Sequence, residues 1–242
     1  MTREDIPSIT TDQMREVDRL MIEVYGISLI QMMENAGRAL ARLASRHFFG
    51  GDPRNGRVAV LVGPGGNGGG GLVCARNLHN WGANVHAYVG APVEQMGEVP
   101  RQQLSILETL GVPVTMVTTA ADLHEADLVV DALIGYSLSG APRGTIASLI
   151  RAAQDLGSPV LSLDAPSGVD ATTGQVFDPA IRADVTLTLA LPKTGLVMES
   201  AEANVGELYL ADIGVPPGLY ARPTLELDVG PIFAESELVR LG

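Results

Sequence analysis

An α/β fold built on a mostly parallel central sheet, with helices on both faces, is predicted by three features of this sequence. Apolar strand-like runs alternate with segments of helical period through most of the chain. The run Val58-Ala59-Val60-Leu61-Val62 breaks into Gly63-Pro64-Gly65-Gly66-Asn67-Gly68-Gly69-Gly70-Gly71, and helical spacing resumes at Leu72, Val73, Ala75 and Leu78. That order reads as strand, phosphate-sized loop, helix. Two further strand-like runs carry carboxylates toward their C-terminal ends, Asp131 and Asp164.

Thr10 and Gln13 have capping-box spacing, and Met14, Val17, Met21 and Val24 recur at helical intervals up to Gly26. Ser28 is placed to cap a second helix with the inner stripe Leu29, Met33, Ala36, Leu40 and Leu43. Glu34, Asn35 and Gly37 interrupt it, as a close helix crossing or as part of a site. Turn residues at 50–56 lead into the first strand. Gly82 ends the helix after the glycine loop, and 84–90 alternates as a second strand. Pro100 opens a helix with Leu104, Leu107 and Leu110 inward, and Gly111 closes it. Strands follow at 112–117 and 127–135. The helix at 145–156 turns Ile146, Leu149, Ile150 and Ala153 inward and stops at Gly157. Strands at 159–164, 183–191 and 207–212 complete the pattern, while the tail from Tyr220 shows none. One domain over 1–242 is expected, its core about 10–217.

Composition narrows the chemistry. Hydrophobic residues make up 46% and aromatics 4%, so the core is aliphatic, and the net charge of −12 argues against nucleic acid and anionic membranes as partners. Lys193 is the only lysine, and a single cysteine, Cys74, excludes an internal disulfide and suits a reducing compartment. No apolar run reaches the roughly 18 residues of a membrane span, and the start lacks a leader-like segment, so a cytoplasmic protein is expected. His47, His79, His86 and His124 have no metal-ligand spacing, no zinc site is expected, and no Gly-x-Ser-x-Gly elbow is present.

The candidate site lies at strand ends. Each glycine in a helical turn costs about 1 kcal/mol against alanine, so the dense glycines keep side chains away from an anion or mark a surface turn. An unpaired buried carboxylate costs several kcal/mol, so Asp131 needs a partner: it caps the loop 136–143 or ligates a cation. Asp164 opens Ala165-Pro166-Ser167-Gly168-Val169-Asp170, a proline-fixed turn. In open parallel sheets ligands bind outside the carboxyl ends of the strands, where the glycine loop, Asp131 and Asp164 gather. Lys193 is a solvated strand-end residue or an active-site amine. Val89-Gly90-Ala91-Pro92 supplies no acidic residue for ribose hydroxyls, which disfavours an ordinary nicotinamide dehydrogenase.

Taken in order, Met33-Glu34-Asn35-Ala36-Gly37, the Gly63-to-Gly70 loop, Asp131-Ala132-Leu133-Ile134-Gly135, Asp164 to Asp170, Pro192-Lys193-x-Gly195 and Asp212-Ile213-Gly214-Val215-Pro216 resemble the NAD(P)H-hydrate epimerase family, the YjeF N-terminal domain. The resemblance runs from about Thr10 to Pro217. It implies a Rossmann-like, three-layer αβα domain, usually a homodimer, that interconverts the R and S epimers of hydrated NADH or NADPH (NADHX, NADPHX). It further implies a potassium ion held by Asn67, Asp131 and Ser167. The dinucleotide would lie along Gly66, Asn67, Gly68, Gly69 and Gly70 and along Gly135, Tyr136, Ser137, Leu138, Ser139, Gly140 and Ala141, with Asp164 catalytic at the reacting ring. A dehydratase consuming the product would act from a separate chain, with no such domain fused here. The family loop usually reads Gly-Asn-Asn-Gly-Gly-Asp-Gly; Gly66 and Gly70 replace an Asn and the Asp, and Ser139 stands where some members carry a lysine. The alternative these departures leave is a non-catalytic nucleotide-binding or dimerisation module on the same fold.

Overall fold

The computed structural model describes residues 6–119 and 123–241. Helices α1 (Thr11–Glu23) and α2 (Leu29–Phe48) lead into β1 (Arg57–Val62), α3 (Gly66–Asn80), β2 (Asn84–Val89), α4 (Glu98–Thr109), β3 (Val114–Met116) and β4 (Leu128–Ala132). Then come α5 (Gly144–Leu156), β5 (Val160–Leu163), β6 (Val185–Leu189), α6 (Glu202–Val205), β7 (Glu207–Ala211), α7 (Pro217–Tyr220) and β8 (Leu238–Arg240). The strands form one sheet in the order β3-β2-β1-β4-β5-β6-β7-β8. All neighbours are parallel except β7 and β8. Register lines Leu61, Asp131, Ser162 and Thr186 up across four adjacent strands.

Strand alternation sorts the core into two faces. Val58, Val60 and Val62 pack with the apolar sides of α2, α3 and α4, whereas Ala59 and Leu61 pack with Leu149, Ile150 and Ala153 of α5. At the far end of the sheet Leu208 and Leu210 join α1, α7 and the tail in a third cluster. The predicted capping box of Thr10 with Gln13 is present, and Ser28 caps α2 as expected, in a second box with Gln31. α1 stops at Glu23, short of Gly26.

Three expectations are revised. The glycines after Gly65 do not form an open loop: α3 begins at Gly66, and Gly68 to Gly71 are its buried first turns. A Cβ would meet Gly63 O at 1.9 Å from Gly68, Met33 Sδ at 2.4 Å from Gly69, Leu163 Cδ2 at 2.7 Å from Gly70, and Ala132 Cβ at 2.5 Å from Gly71. These glycines let the helix lie directly on the sheet and on α2. Two inward assignments fail: Leu29 is 40% exposed, and Leu110, just past the end of α4, is 43% exposed. The tail is not patternless in space: β8 extends the sheet, and Leu225 and Leu241 are buried beyond Pro217. The interruption in α2 is a close crossing, since a Cβ on Gly37 would stand 2.4 Å from Val73 Cβ. Glu34 binds Arg76 at 2.5 Å and Gln103 at 3.0 Å, and Asn35 donates to Ile213 O at 3.3 Å.

Candidate active site

β1 and β4 are neighbours from which the chain departs in opposite directions along the sheet, and that switch point is where an open α/β sheet leaves a crevice. A cleft of about 560 Å³ opens there. Its walls are Pro64, Gly65, Gly66, Asn67 and Gly70 after β1, Leu133 to Ser137 after β4, Asp164 after β5, and Met14, Asp18, Met32 and Met33 from the two leading helices. Gly65 and Gly66 face open space, so the first N–H groups of the 15-residue α3 are approachable by an anion and carry the positive end of its dipole. A second cleft, about 510 Å³, lies at the amino ends of β1 and β2 beside Arg57, Asn84 and His86. No helix of eight or more residues begins among the residues that line it.

Asp164 sits just past β5 in the left-handed region, φ 66°, where Asp is tolerated better than most side chains. Its N–H is fixed to Leu187 O at 2.7 Å. The carboxylate is buried; Oδ1 accepts from Lys193 Nζ at 2.5 Å and Oδ2 from the Tyr136 N–H at 2.8 Å. Lys193 is fully buried, not a solvated strand end, and also donates to Leu189 O at 2.8 Å and Thr188 Oγ1 at 3.3 Å. Ala190, also left-handed at φ 65°, turns the chain after β6. Ile9 then clamps the neighbouring backbone: its N–H donates to Pro192 O, and its carbonyl accepts from Thr194 N–H. Lys193 is thereby returned to Asp164.

Asp131 is not in the cleft wall. It is fully buried under the β4–β5 ends, where Oδ1 accepts from Ser167 Oγ at 2.6 Å and Leu133 N–H at 3.2 Å, and Oδ2 from Ser167 N–H at 2.8 Å and Ser162 Oγ at 2.9 Å. Burial pushes its carboxyl up from the ordinary range and the Ser167 hydrogen bonds oppose this. Its hydrogen-bond partners are therefore Ser167, Ser162 and Leu133, not the loop 136–143. Asn67 Nδ2 is buried with no hydrogen-bond partner among the described residues. Gly135 passes between Asn67 and Asp164, since a Cβ there would come 2.8 Å from Asp164 Oδ2 and 3.2 Å from Asn67 Oδ1.

Of the other residues singled out in the sequence, Gly66, Asn67, Gly70, Gly135, Tyr136 and Ser137 line the cleft. Gly68 and Gly69 lie beneath it, packed against protein, and Leu138, Ser139, Gly140 and Ala141 run outward along the β4–α5 loop beyond its lining. The cleft also holds Asp18, which no sequence motif marks. It lies one turn after Met14 on α1, lines the cleft, and accepts from Tyr136 Oη at 2.5 Å. A carboxylate flanking the inner stripe Met14, Val17 and Met21 was the available signal.

The fold and the cleft define an α/β protein with an open helix N-terminus and a buried ion pair beside one sheet switch point. Residues 29–195 match the family described as YjeF-related protein N-terminus, and the chain belongs to that family. It is 47% identical over 237 residues to an NAD(P)H-hydrate epimerase of Dehalogenimonas lykanthroporepellens, covering 98% of this chain and 93% of that one. It is 38% identical to a bifunctional NAD(P)H-hydrate repair enzyme of Moorella thermoacetica, covering 88% of this chain but 41% of the relative. The crystal structure of the yeast protein YNL200c superposes with a TM-score of 0.80 at 23% identity, over 98% of this chain and all of that one, which shows the shared fold.

Proposed function

We propose that this chain is an NAD(P)H-hydrate epimerase, an isomerase that interconverts the R and S epimers of hydrated NADH and NADPH. The observation that carries the reading is the Asp164 carboxylate in the cleft wall, held by the buried Lys193 and within one loop of an open helix N-terminus, in a chain 47% identical to a curated epimerase. The pyrophosphate rests on the N–H groups at Gly66, Asn67 and Gly68, which lets a protein of net charge −12 accept phosphate without a lysine there. Gly69 and Gly70 carry the helix beneath it. The hydrated ring lies against Asp164 and Gly135-Tyr136-Ser137, and Leu138 to Ala141 border the outer part of the dinucleotide. The ring nitrogen's lone pair expels the hydroxyl when that oxygen is protonated. Water then adds to either face of the resulting iminium, and Asp164 stabilises the cation and serves the proton transfers.

Potassium is part of this reading. Asn67, Asp131 and Ser167 offer amide, carboxylate and hydroxyl oxygens, the hard donor set of an alkali cation. The unpartnered Asn67 amide fits it, because turned end for end it presents Oδ1 where Nδ2 now has no partner. A cation held there supplies positive charge beside the phosphate site and offsets the buried Asp131 carboxylate.

We read the enzyme as a single-domain cytoplasmic homodimer. Ile22, Val24, Tyr25 and Leu29, 39 to 47% exposed around the α1–α2 turn, are the apolar patch for the second copy. The dehydratase that consumes the product acts from a separate chain, as suits a relative of similar length named for epimerase alone.

The test is epimerisation of purified R-NADHX and R-NADPHX, followed by chromatographic separation of the epimers with and without potassium and against the spontaneous rate. Asp164→Asn should lower turnover by about 10²–10⁴-fold and leave dinucleotide binding in place; equal activity removes Asp164 from the mechanism. No acceleration by the folded wild type would instead favour the non-catalytic module, with the side chains missing at Gly66 and Gly70 as its cause.

A further inference from the structure

The reaction proposed above needs a proton at the departing hydroxyl and an acceptor for the proton of the entering water. Asp164 is better placed for the second task than the first. Both its oxygens already accept hydrogen bonds, one from an ammonium and one from an N–H, so it presents acceptor lone pairs. The same cleft holds a second carboxylate that nothing so far has used. Asp18 reaches the cleft from α1, on the opposite side of Tyr136 from Asp164: the Tyr136 N–H binds Asp164 Oδ2 at 2.8 Å and its Oη donates to Asp18 Oδ2 at 2.5 Å. One residue thus spaces two carboxylates along one wall. Asp18 has no ion-pair partner within salt-bridge distance among the described residues, unlike Asp164.

We propose that Asp18 is the second acid–base residue of the site, the donor of the proton with which the hydroxyl leaves, while Asp164 receives the proton of the water that adds. This rests on the epimerase reading. In the first step the C–O bond breaks, the ring nitrogen's lone pair forms the C=N bond, and the Asp18 proton leaves with the oxygen as water. In the second, water bonds to that carbon, the C=N pair returns to nitrogen, and the released proton passes to Asp164. Exchange with water in the cleft then moves one proton from Asp164 back to Asp18, so the cycle is a net isomerisation. In the reverse direction the roles exchange.

The surroundings support a proton on Asp18. Burial pushes its carboxyl up from the ordinary range, and the nearby Asp164 charge adds to this; the Tyr136 hydrogen bond and the Lys193 charge act against it. Arg15 and Tyr220 are the other titratable groups facing the pair. Paired carboxylates in unlike environments are the general way one site runs acid and base steps together.

The experiment compares wild type, Asp18→Asn and Tyr136→Phe on R-NADHX, reading kcat, KM and the pH–rate profile, with thermal unfolding and NADH binding as controls for folding. Asp18→Asn is expected to lower kcat by about 10²–10⁴-fold with KM little changed, and to lose the alkaline limb of the profile. Tyr136→Phe removes a hydrogen bond that favours the ionised carboxylate, so its alkaline limb should move to higher pH; a merely structural role would leave that limb where it was. If wild type accelerates epimerisation and Asp18→Asn matches it, or if the limb survives in Asp18→Asn, this proposal is overturned and the epimerase reading stands. If wild type gives no acceleration, the epimerase reading falls and takes this proposal with it.

Discussion

Lys193→Met tests the account of the site through stability. Methionine keeps most of the aliphatic stem and deletes the ammonium, which makes three hydrogen bonds, to Asp164, Leu189 and Thr188. Both partners of the ion pair are buried, with side chains 0% and 5% exposed, so the charge left on Asp164 has little water to turn to and keeps only the Tyr136 N–H. Removing one partner of such a pair costs about 3–5 kcal/mol. In a chain of this length that corresponds to a fall in Tm of roughly 6–20 °C. Adding Asp164→Asn to the same chain removes the uncompensated charge and should recover part of the loss, a coupling that urea or thermal unfolding of the four-member cycle measures. A Lys193→Met cost within about 1 kcal/mol, the range of exposed pairs, or no recovery in the double variant, would refute the claim that this pair is desolvated and interdependent.

Other expectations follow from the same geometry. Gly71→Ala brings a Cβ to 2.5 Å from Ala132 Cβ and should lose about 1–3 kcal/mol in chemical denaturation, whereas Gly66→Ala meets nothing within 4 Å and should be neutral or gain up to about 1 kcal/mol. Potassium should raise Tm above sodium at equal ionic strength, and Asn67→Ala should erase the difference. Because burial raises the Asp18 carboxyl in the folded protein, the native state binds that proton more tightly than the unfolded one. Its cost to stability is therefore absent below the unfolded value, about 3.9, and grows as pH rises from there through the raised native one. Asp18→Asn should consequently be as stable as wild type near pH 3.5 and more stable at pH 7, by urea unfolding at both.

The alternation of apolar strands and helix-period segments determined the sheet and its helical layers, because burial on both faces leaves a continuous apolar signature in each strand. Capping boxes at Thr10 and Ser28 are local hydrogen-bond patterns, so the starts of α1 and α2 were equally legible. The family and the cleft walls at Gly66, Asn67, Gly135 and Asp164 were legible as well, since strand-end loops carry their chemistry in short motifs. Tertiary structure alone decided what those residues touch. Gly68 to Gly71 read as a phosphate loop but serve helix-on-sheet contact, because the atoms that forbid a Cβ come from Gly63, Met33, Leu163 and Ala132. Lys193 reads in sequence as either a solvated strand end or an active-site amine, and only the turn at Ala190 and the Ile9 clamp, which bring it onto Asp164, decide between them. β8 is three residues long, too short for its alternation to stand out, and exists because β7 offers an edge. Asp18 and Asp164 are far apart in the chain, and no local pattern brings them to one cleft; the packing of α1 against the strand ends does.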